Sequence, residues 1–316
     1  MIKKPIIYTI IVTYNGVNWI NKCIESILSN ELSTQIVLID NNSSDDTVVF
    51  VSNNFPSVVI IESIVNLGFG KANNIGISYA LKNNADFVFL LNQDAYINKT
   101  TLKDLVSLSI QNPNYGIISP IQFNYEGDEV EGYFKNFIRN NAALDLFTDV
   151  VLKKEIGNLY EVPFIQAAVW LLPAKTIYEV GGFDPIFIHY GEDDNYCQRI
   201  KYHNYLIGIA PHISAFHFGT KVKKIEETKF SKKYFQNLEK KIKVKYADIN
   251  LDLNEYMISS LKLKILKLIF KNIVKFNFKN VRGYIKEFIL LSSIFKTIFN
   301  SRKINKIKSS HYLANL

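Results

Sequence analysis

Four short, largely apolar runs in the first third of the chain, residues 6–12, 35–39, 58–61 and 87–91, each stop at a cluster of amides, carboxylates or glycines. Between them, apolar residues recur at helical spacing, most plainly Trp19, Ile20, Cys23, Ile24, Ile27 and Leu28 over residues 17–29. Strand and helix alternating through short connections predict an α/β fold with a doubly wound, mostly parallel sheet. Phe87-Val88-Phe89-Leu90-Leu91 constrains the fold most, because five consecutive apolar residues suit a strand buried on both faces.

In such a sheet, ligands sit beyond the carboxyl ends of the strands. The run ends in Asn92-Gln93-Asp94, which puts Asp94 where a phosphate-bound cation would be held. The alternative, a carboxylate that only caps the next helix, is open at this point. The other strand ends carry Tyr14 and Asn15, Asp40 and Asn42, and Asn66 and Gly68. One such end is ordinary turn chemistry, but four converging on one crevice predict a nucleotide site. Asp40 can accept from the N3–H of a uracil or thymine, Tyr14 can stack on a base, and Gly68 to Gly70 allow close backbone approach. Gly68, Gly70 and Gly76 lack the dinucleotide spacing, and no Walker phosphate loop is present.

The 316 residues are 48% hydrophobic and 21% charged, a globular composition. Cys23 and Cys197 offer neither a disulfide framework nor a zinc spacing, so a reducing, cytoplasmic setting is expected. The first residues lack a secretory cleavage pattern, and nowhere do 18 apolar residues run together. Charge divides the chain. Residues 1–220 hold 14 Lys and Arg against 22 Asp and Glu, whereas residues 221–316 hold 23 against 7. The expected organisation is a body over 1–220, halved near 110, and a basic helical region over 221–316.

In that region Lys264, Lys267, Lys271, Lys275 and Lys279 recur every three or four residues among aliphatics. This is the pattern of an interfacial membrane helix. A helical cap on the body or an oligomerisation hairpin fits as well, so a homo-oligomer is compatible with the sequence. Nucleic acid is not the expected partner, because aliphatics rather than stacking aromatics separate the lysines. Residues 123–160 are polar and irregular, either ligand-facing loops or a variable surface insertion.

Taken in order, Ile11-Val12-Thr13-Tyr14-Asn15, Ile39-Asp40-Asn41-Asn42-Ser43-Ser44-Asp45, Asn66-Leu67-Gly68-Phe69-Gly70 with Asn73-Asn74-Ile75-Gly76, and Leu90-Leu91-Asn92-Gln93-Asp94 resemble the inverting family-2 nucleotide-sugar glycosyltransferases. The rhamnosyltransferase-like and galactofuranosyltransferase-like branch is the nearest in pattern, and the match runs over about residues 5–220. The resemblance implies a GT-A fold, a nucleotide-sugar donor, and Mg²⁺ or Mn²⁺. It assigns donor contacts to Thr13, Tyr14, Asn15, Asp40, Asn42, Asn66, Gly68, Gly70, Asn73, Asn92 and Gln93. The metal motif departs from the family, because only Asp94 keeps the acidic character of a segment that often carries two or three carboxylates.

Gly181-Gly182-Phe183-Asp184, Glu192-Asp193-Asp194 and Arg199-Ile200 are similar to the segment that supplies the general base in these enzymes, which implies that role for Asp193. By itself an acidic triplet at a helix start is as readily a dipole complement. Glu192 and Asp194 would raise the Asp193 pKa, and the helix N-terminus would lower it. His217, otherwise an unremarkable lone histidine, matches a family histidine that returns to the metal, and imidazole suits Mn²⁺. Asp184 is expected to hold its loop or touch the acceptor, and His212 to be structural.

The expected activity is sugar transfer from a UDP- or dTDP-sugar to a hydroxyl of a glycan or polyprenyl-linked glycan in bacterial surface polysaccharide synthesis. The setting would be the inner face of the cell membrane. The alternatives are a catalytically silent glycan-binding homologue and a sugar nucleotidyltransferase, and against the latter no triphosphate loop is present.

Overall fold

The computed structural model describes residues 4–132, 134, 143–188, 190–219 and 227–314. The chain forms two compact units, residues 1–222 with 308–316, and residues 223–307. The last residues thus return to the first unit rather than ending with the basic region.

Among the described residues the first unit contains nine strands: β1 (Ile7–Thr13), β2 (Gln35–Asp40), β3 (Val59–Glu62), β4 (Phe87–Leu91), β5 (Ala95–Ile97), β6 (Tyr115–Phe123), β7 (Tyr160–Glu161), β8 (Val169–Pro173) and β9 (Leu206–His217). Its helices are α1 (Ile20–Leu28), α2 (Thr47–Asn54), α3 (Phe69–Lys82), α4 (Thr101–Gln111), α5 (Leu144–Val151), α6 (Ala174–Val180) and α7 (Glu192–Tyr202). The strands form one sheet in the order β3-β2-β1-β4-β8-β6-β9-β5, with β7 on β9. The block from β3 to β4 is parallel throughout, as the alternating pattern predicts. Beyond it the sheet is mixed, because β8 runs antiparallel to β4, with Leu90 opposite Trp170 and Leu91 opposite Val169.

Strand alternation divides the core between two faces. Val88, Leu90, Trp170 and Leu172 pack on one side with Ala72, Ile77, Ile177, Tyr196 and Ile200. Phe87, Phe89, Leu91 and Leu171 pack on the other with Ile20, Ile24, Val51, Leu102 and Leu105. The apolar run of residues 164–172 is a strand only from Val169 onward. Gln166 instead turns its amide to Gln122 (2.8 Å) and Glu131 (3.1 Å), and the Ile165 carbonyl accepts from the Cys197 thiol (3.7 Å). In β9, residues 211–213 bulge out opposite the step from Pro120 to Ile121. Pro211 lacks the N–H that a regular ladder needs there.

The second unit contains α8 (Lys232–Tyr246), α9 (Glu255–Val274) and α10 (Phe278–Asn305). Its helices start with side-chain caps from Ser231, Asn254 and Asn277. Arg302 on α10 donates to the carbonyls of Tyr246, Asp248 and Leu251, which fastens the chain that follows α8. The Tyr234 hydroxyl donates to Glu287, and Lys229 donates to the Tyr284 hydroxyl (2.6 Å). Among the described residues, no helix is long and apolar enough to cross a membrane.

Gly76 lets α3 lie close against β1, where a Cβ would run into Ile10. Gly76→Ala is therefore expected to overpack that contact and lower stability by about 1–3 kcal/mol. Urea unfolding checks this: the midpoint falls with an unchanged slope, and a wild-type midpoint would contradict the packing account.

Candidate active site

The parallel block delivers the ends of β1, β2, β3 and β4 to one edge, where the clusters noted in the sequence meet. Their amides are engaged mainly with backbone groups and hydroxyls of the same chain. Gln93 accepts from the Thr13 hydroxyl (2.6 Å) and the Tyr14 N–H (3.0 Å), pinning the end of β1 to the end of β4. Asn15, at φ 50°, accepts from the Ser44 N–H (2.8 Å), and its own N–H donates to the Ser43 hydroxyl (2.9 Å). Asn73 donates to the Phe69 carbonyl one turn back (3.0 Å). Asn42 is exposed at φ 69°, and Tyr14 presents an exposed ring.

Asp40 differs. It is buried; one carboxylate oxygen accepts from the Ser43 N–H (3.0 Å), and the other is buried with no partner among the described residues. A buried acceptor left without a donor costs about 1–3 kcal/mol, so a ligand N–H there would relieve a real penalty.

Asn41, which the sequence reading did not single out, organises the next loop. Its side-chain oxygen accepts from the Leu67 N–H (2.7 Å), and its amide donates to the Asn66 side chain (3.0 Å). Asn66 in turn accepts from the N–H of Gly68 (2.9 Å), whose φ of 78° lets the chain turn into α3. The close approach expected at Gly70 is made by the protein itself: a Cβ there would lie 2.9 Å from that of Phe183 and 3.5 Å from that of Glu192. That contact joins the start of α3 to the acidic segment.

Beyond β4 the chain doubles back into β5, which pairs antiparallel with the end of β9 so that Ala95 faces His217. The Phe218 N–H donates to the Asp94 carbonyl (3.0 Å). This register sets His217 Nε2 3.3 Å from Asp94 Oδ1 and 3.3 Å from Asn92 Nδ2. Two residues 123 positions apart in sequence thus share one spot at the strand ends. His217 Nε2 and Asp94 Oδ1 thus face each other across one spot, a nitrogen and an oxygen ligand for a cation. His217 Nδ1 is buried without a partner among the described residues. No group of three or more His, Cys, Asp or Glu able to hold a metal occurs among those residues. The donor set fits a hard cation that takes its remaining ligands from a diphosphate and water. Burial, and then the Asp94 carboxylate, push the Cys23 thiol up, keeping it neutral beside the site.

Asp193 lies in the first turn of α7, after Gly191 at φ 98°. Its Oδ1 accepts from the Asp194 N–H (2.9 Å), so the carboxylate also serves the helix start. Two residues on, Asn195 is fully buried with neither amide atom hydrogen-bonded among the described residues.

The helix is held from behind. Tyr196 packs with Phe183 and Trp170, and buried Arg199 donates to the carbonyls of Val180 (2.8 Å) and Gly182 (2.5 Å). Burial pushes the Arg199 pKa down, and nearby Asp184 acts against that. Asp184 holds its loop, accepting from the Ile186 N–H (3.0 Å) and from the Tyr312 hydroxyl (3.3 Å). The returning tail adds a bond from the Gly182 N–H to the His311 carbonyl (2.8 Å). Asn74 ties α3 to the same turn through both backbone groups of Phe183 (2.7 and 2.8 Å). His212 is a peripheral contact to the Ile156 carbonyl (3.0 Å).

Asn41→Ala removes the acceptor for Leu67 and the donor to Asn66. It is expected to cost about 1–3 kcal/mol and to weaken nucleoside diphosphate binding, measured by chemical unfolding and calorimetry. An unchanged midpoint and affinity would show that the loop holds itself.

Residues 8–161 match the family described as Glycosyl transferase family 2. The low-salt glycan biosynthesis hexosyltransferase Agl10 of Haloferax volcanii is 28% identical over 207 residues, 63% of this chain and 62% of its own length. The dTDP-rhamnosyl transferase RfbF of Shigella flexneri is also 28% identical, over 69% of this chain and 71% of its own. Among solved structures, residues 1–349 of S. aureus TarS in complex with UDP superimpose with a TM-score of 0.53 at 17% identity, covering 80% of this chain and 68% of TarS 1–349. That likeness concerns the fold alone. Residues 8–161, just under half of the chain, are thus similar to glycosyl transferase family 2, in agreement with the names of both relatives.

Proposed function

We propose that the protein transfers a sugar, with inversion, from a UDP- or dTDP-sugar to a hydroxyl of a glycan or polyprenyl-linked glycan. Its place would be the inner face of a bacterial membrane, in surface polysaccharide synthesis. The observation that carries this reading is the pairing of Asp94 with His217 at the strand ends, beside the strand-end loops that hold the unpartnered oxygen of Asp40. The name of RfbF specifies a dTDP-sugar, and TarS has been solved with UDP and UDP-GlcNAc; both support a nucleotide-sugar donor.

Asp40 would accept the base N–H while Tyr14 stacks on its ring. Asp94 and His217 would hold a divalent cation, Mg²⁺ or Mn²⁺, which when bound supplies positive charge against the departing diphosphate. Asp193 takes the proton of the acceptor hydroxyl as that oxygen bonds to C1 of the sugar. The bond from C1 to the diphosphate oxygen breaks, its electron pair leaves with the nucleoside diphosphate, and the anomeric centre inverts. Arg199, Asn74 and the tail residues hold the 180–184 turn behind α7, so they support the helix that carries the base. The basic second unit would hold the protein at the membrane, where a polyprenyl-linked acceptor resides.

The motif reduced to one carboxylate favours one rival, a silent glycan-binding homologue, and a single variant separates the two readings. Asp193→Asn is expected to lower kcat by about 100-fold or more with the donor KM nearly unchanged. The measurement is release of nucleoside diphosphate from UDP-, dTDP- and GDP-sugars with and without acceptor. Equal turnover by wild type and variant, or none by wild type with any donor, would contradict the proposal.

A further inference from the structure

The end of the α9–α10 hairpin is built in a way that its fold does not require. α9 closes in a complete Schellman motif: the Phe276 N–H donates to the Ile273 carbonyl (2.9 Å) and the Asn277 N–H to the Asn272 carbonyl (2.9 Å). The residue that must then adopt the left-handed conformation is Phe276, at φ 53°. Glycine is the usual occupant of that position, because a Cβ is penalised there. Here the position carries a phenyl ring that is 79% exposed. Strain and exposed apolar surface at one residue point to a use outside the fold.

The surroundings identify the use. Phe270, Val274 and Phe278 are 69%, 61% and 59% exposed around the same turn, and the Phe276 and Phe278 rings meet edge to face at 6.5 Å. Lys267, Lys271, Lys275 and Lys279 are exposed beside them. From residue 256 to residue 286 the chain carries seven Lys and one Arg and no Asp or Glu. A second copy of this surface would bring like charges together, whereas an anionic lipid surface complements it. The turn also satisfies its own polar groups. Asn277 accepts from the Asn280 N–H (3.2 Å), and Asn280 donates to the Asn272 side chain (3.2 Å), so entry into an apolar layer exposes few unpaired backbone groups.

We propose that this turn is a membrane-inserting tip: Phe276, with Phe270, Val274 and Phe278, enters the acyl boundary of an anionic bilayer while the four lysines engage the headgroups. The inference rests on the reading of the second unit as membrane-facing and adds the part that enters. It replaces a helix lying flat on the surface with a hairpin end that docks point first.

The test is flotation of the full chain with vesicles of phosphatidylcholine alone or phosphatidylcholine with phosphatidylglycerol, at low and high salt. Wild type is expected to float with the anionic vesicles only, less so in salt. Phe276→Gly suits the left-handed position, so it keeps or raises the Tm while vesicle affinity falls about tenfold or more. Replacing Lys271, Lys275 and Lys279 by Gln lowers affinity about fivefold per charge. If Phe276→Gly binds like wild type, the tip is not the inserting element. Failure of wild type to bind either vesicle overturns the membrane-facing reading itself. Light scattering that shows a dimer dissolved by Phe276→Gly would assign the surface to a second copy instead.

Discussion

The short antiparallel pairing of β5 with the end of β9 is the constraint on which the candidate site depends. Parallel strands alone would leave Asp94 as a single carboxylate at a strand mouth. Because the chain doubles back through residues 95–97 and meets 215–217 in register, His217 arrives beside it and the backbone of Phe218 closes on Asp94. A one-residue slip would turn His217 to the opposite face of the sheet, since side chains alternate with a period of two. The bulge at 211–213 takes up irregularity earlier in β9, before the stretch that faces β5.

A second constraint links the two halves of the first unit. Gly70 lets Phe183 and Glu192 come against the start of α3, and Asn74 grips the Phe183 backbone from the same helix. The 180–184 turn is therefore held by α3, by Arg199 of α7 and by the returning tail, and Gly70 brings α3 against Glu192 at the start of α7. Buried hydrogen bonds of this kind are costly to break and hold a narrow geometry.

Much of this was legible in the sequence where one physical pattern dominates. The both-face burial of Phe87–Leu91 and its polar end located β4 and Asp94, and the alternation of strand and helix gave the parallel block. What stayed hidden involves side chains with two equally good uses. An amide at a strand end reads the same whether it faces a nucleotide or a backbone, and Gln93, Asn15 and Asn73 prove to be bonded to their own chain. Asn41 escaped notice although it ties down the 66–68 loop. The antiparallel insertion of β8 between β4 and β6 leaves no periodic signature, because a strand buried on both faces looks alike in either direction. The Schellman turn at Phe276 was hidden for a related reason: a phenylalanine does not announce a left-handed conformation.

The central claim is that Asp94 and His217 jointly hold a divalent cation with the donor diphosphate, and Mn²⁺ binding followed by electron paramagnetic resonance tests it most directly. In the presence of UDP or dTDP, wild type should deplete the free Mn²⁺ signal at concentrations where His217→Ala and Asp94→Asn do so at least about tenfold less tightly. Equal depletion by all three proteins would contradict the claim.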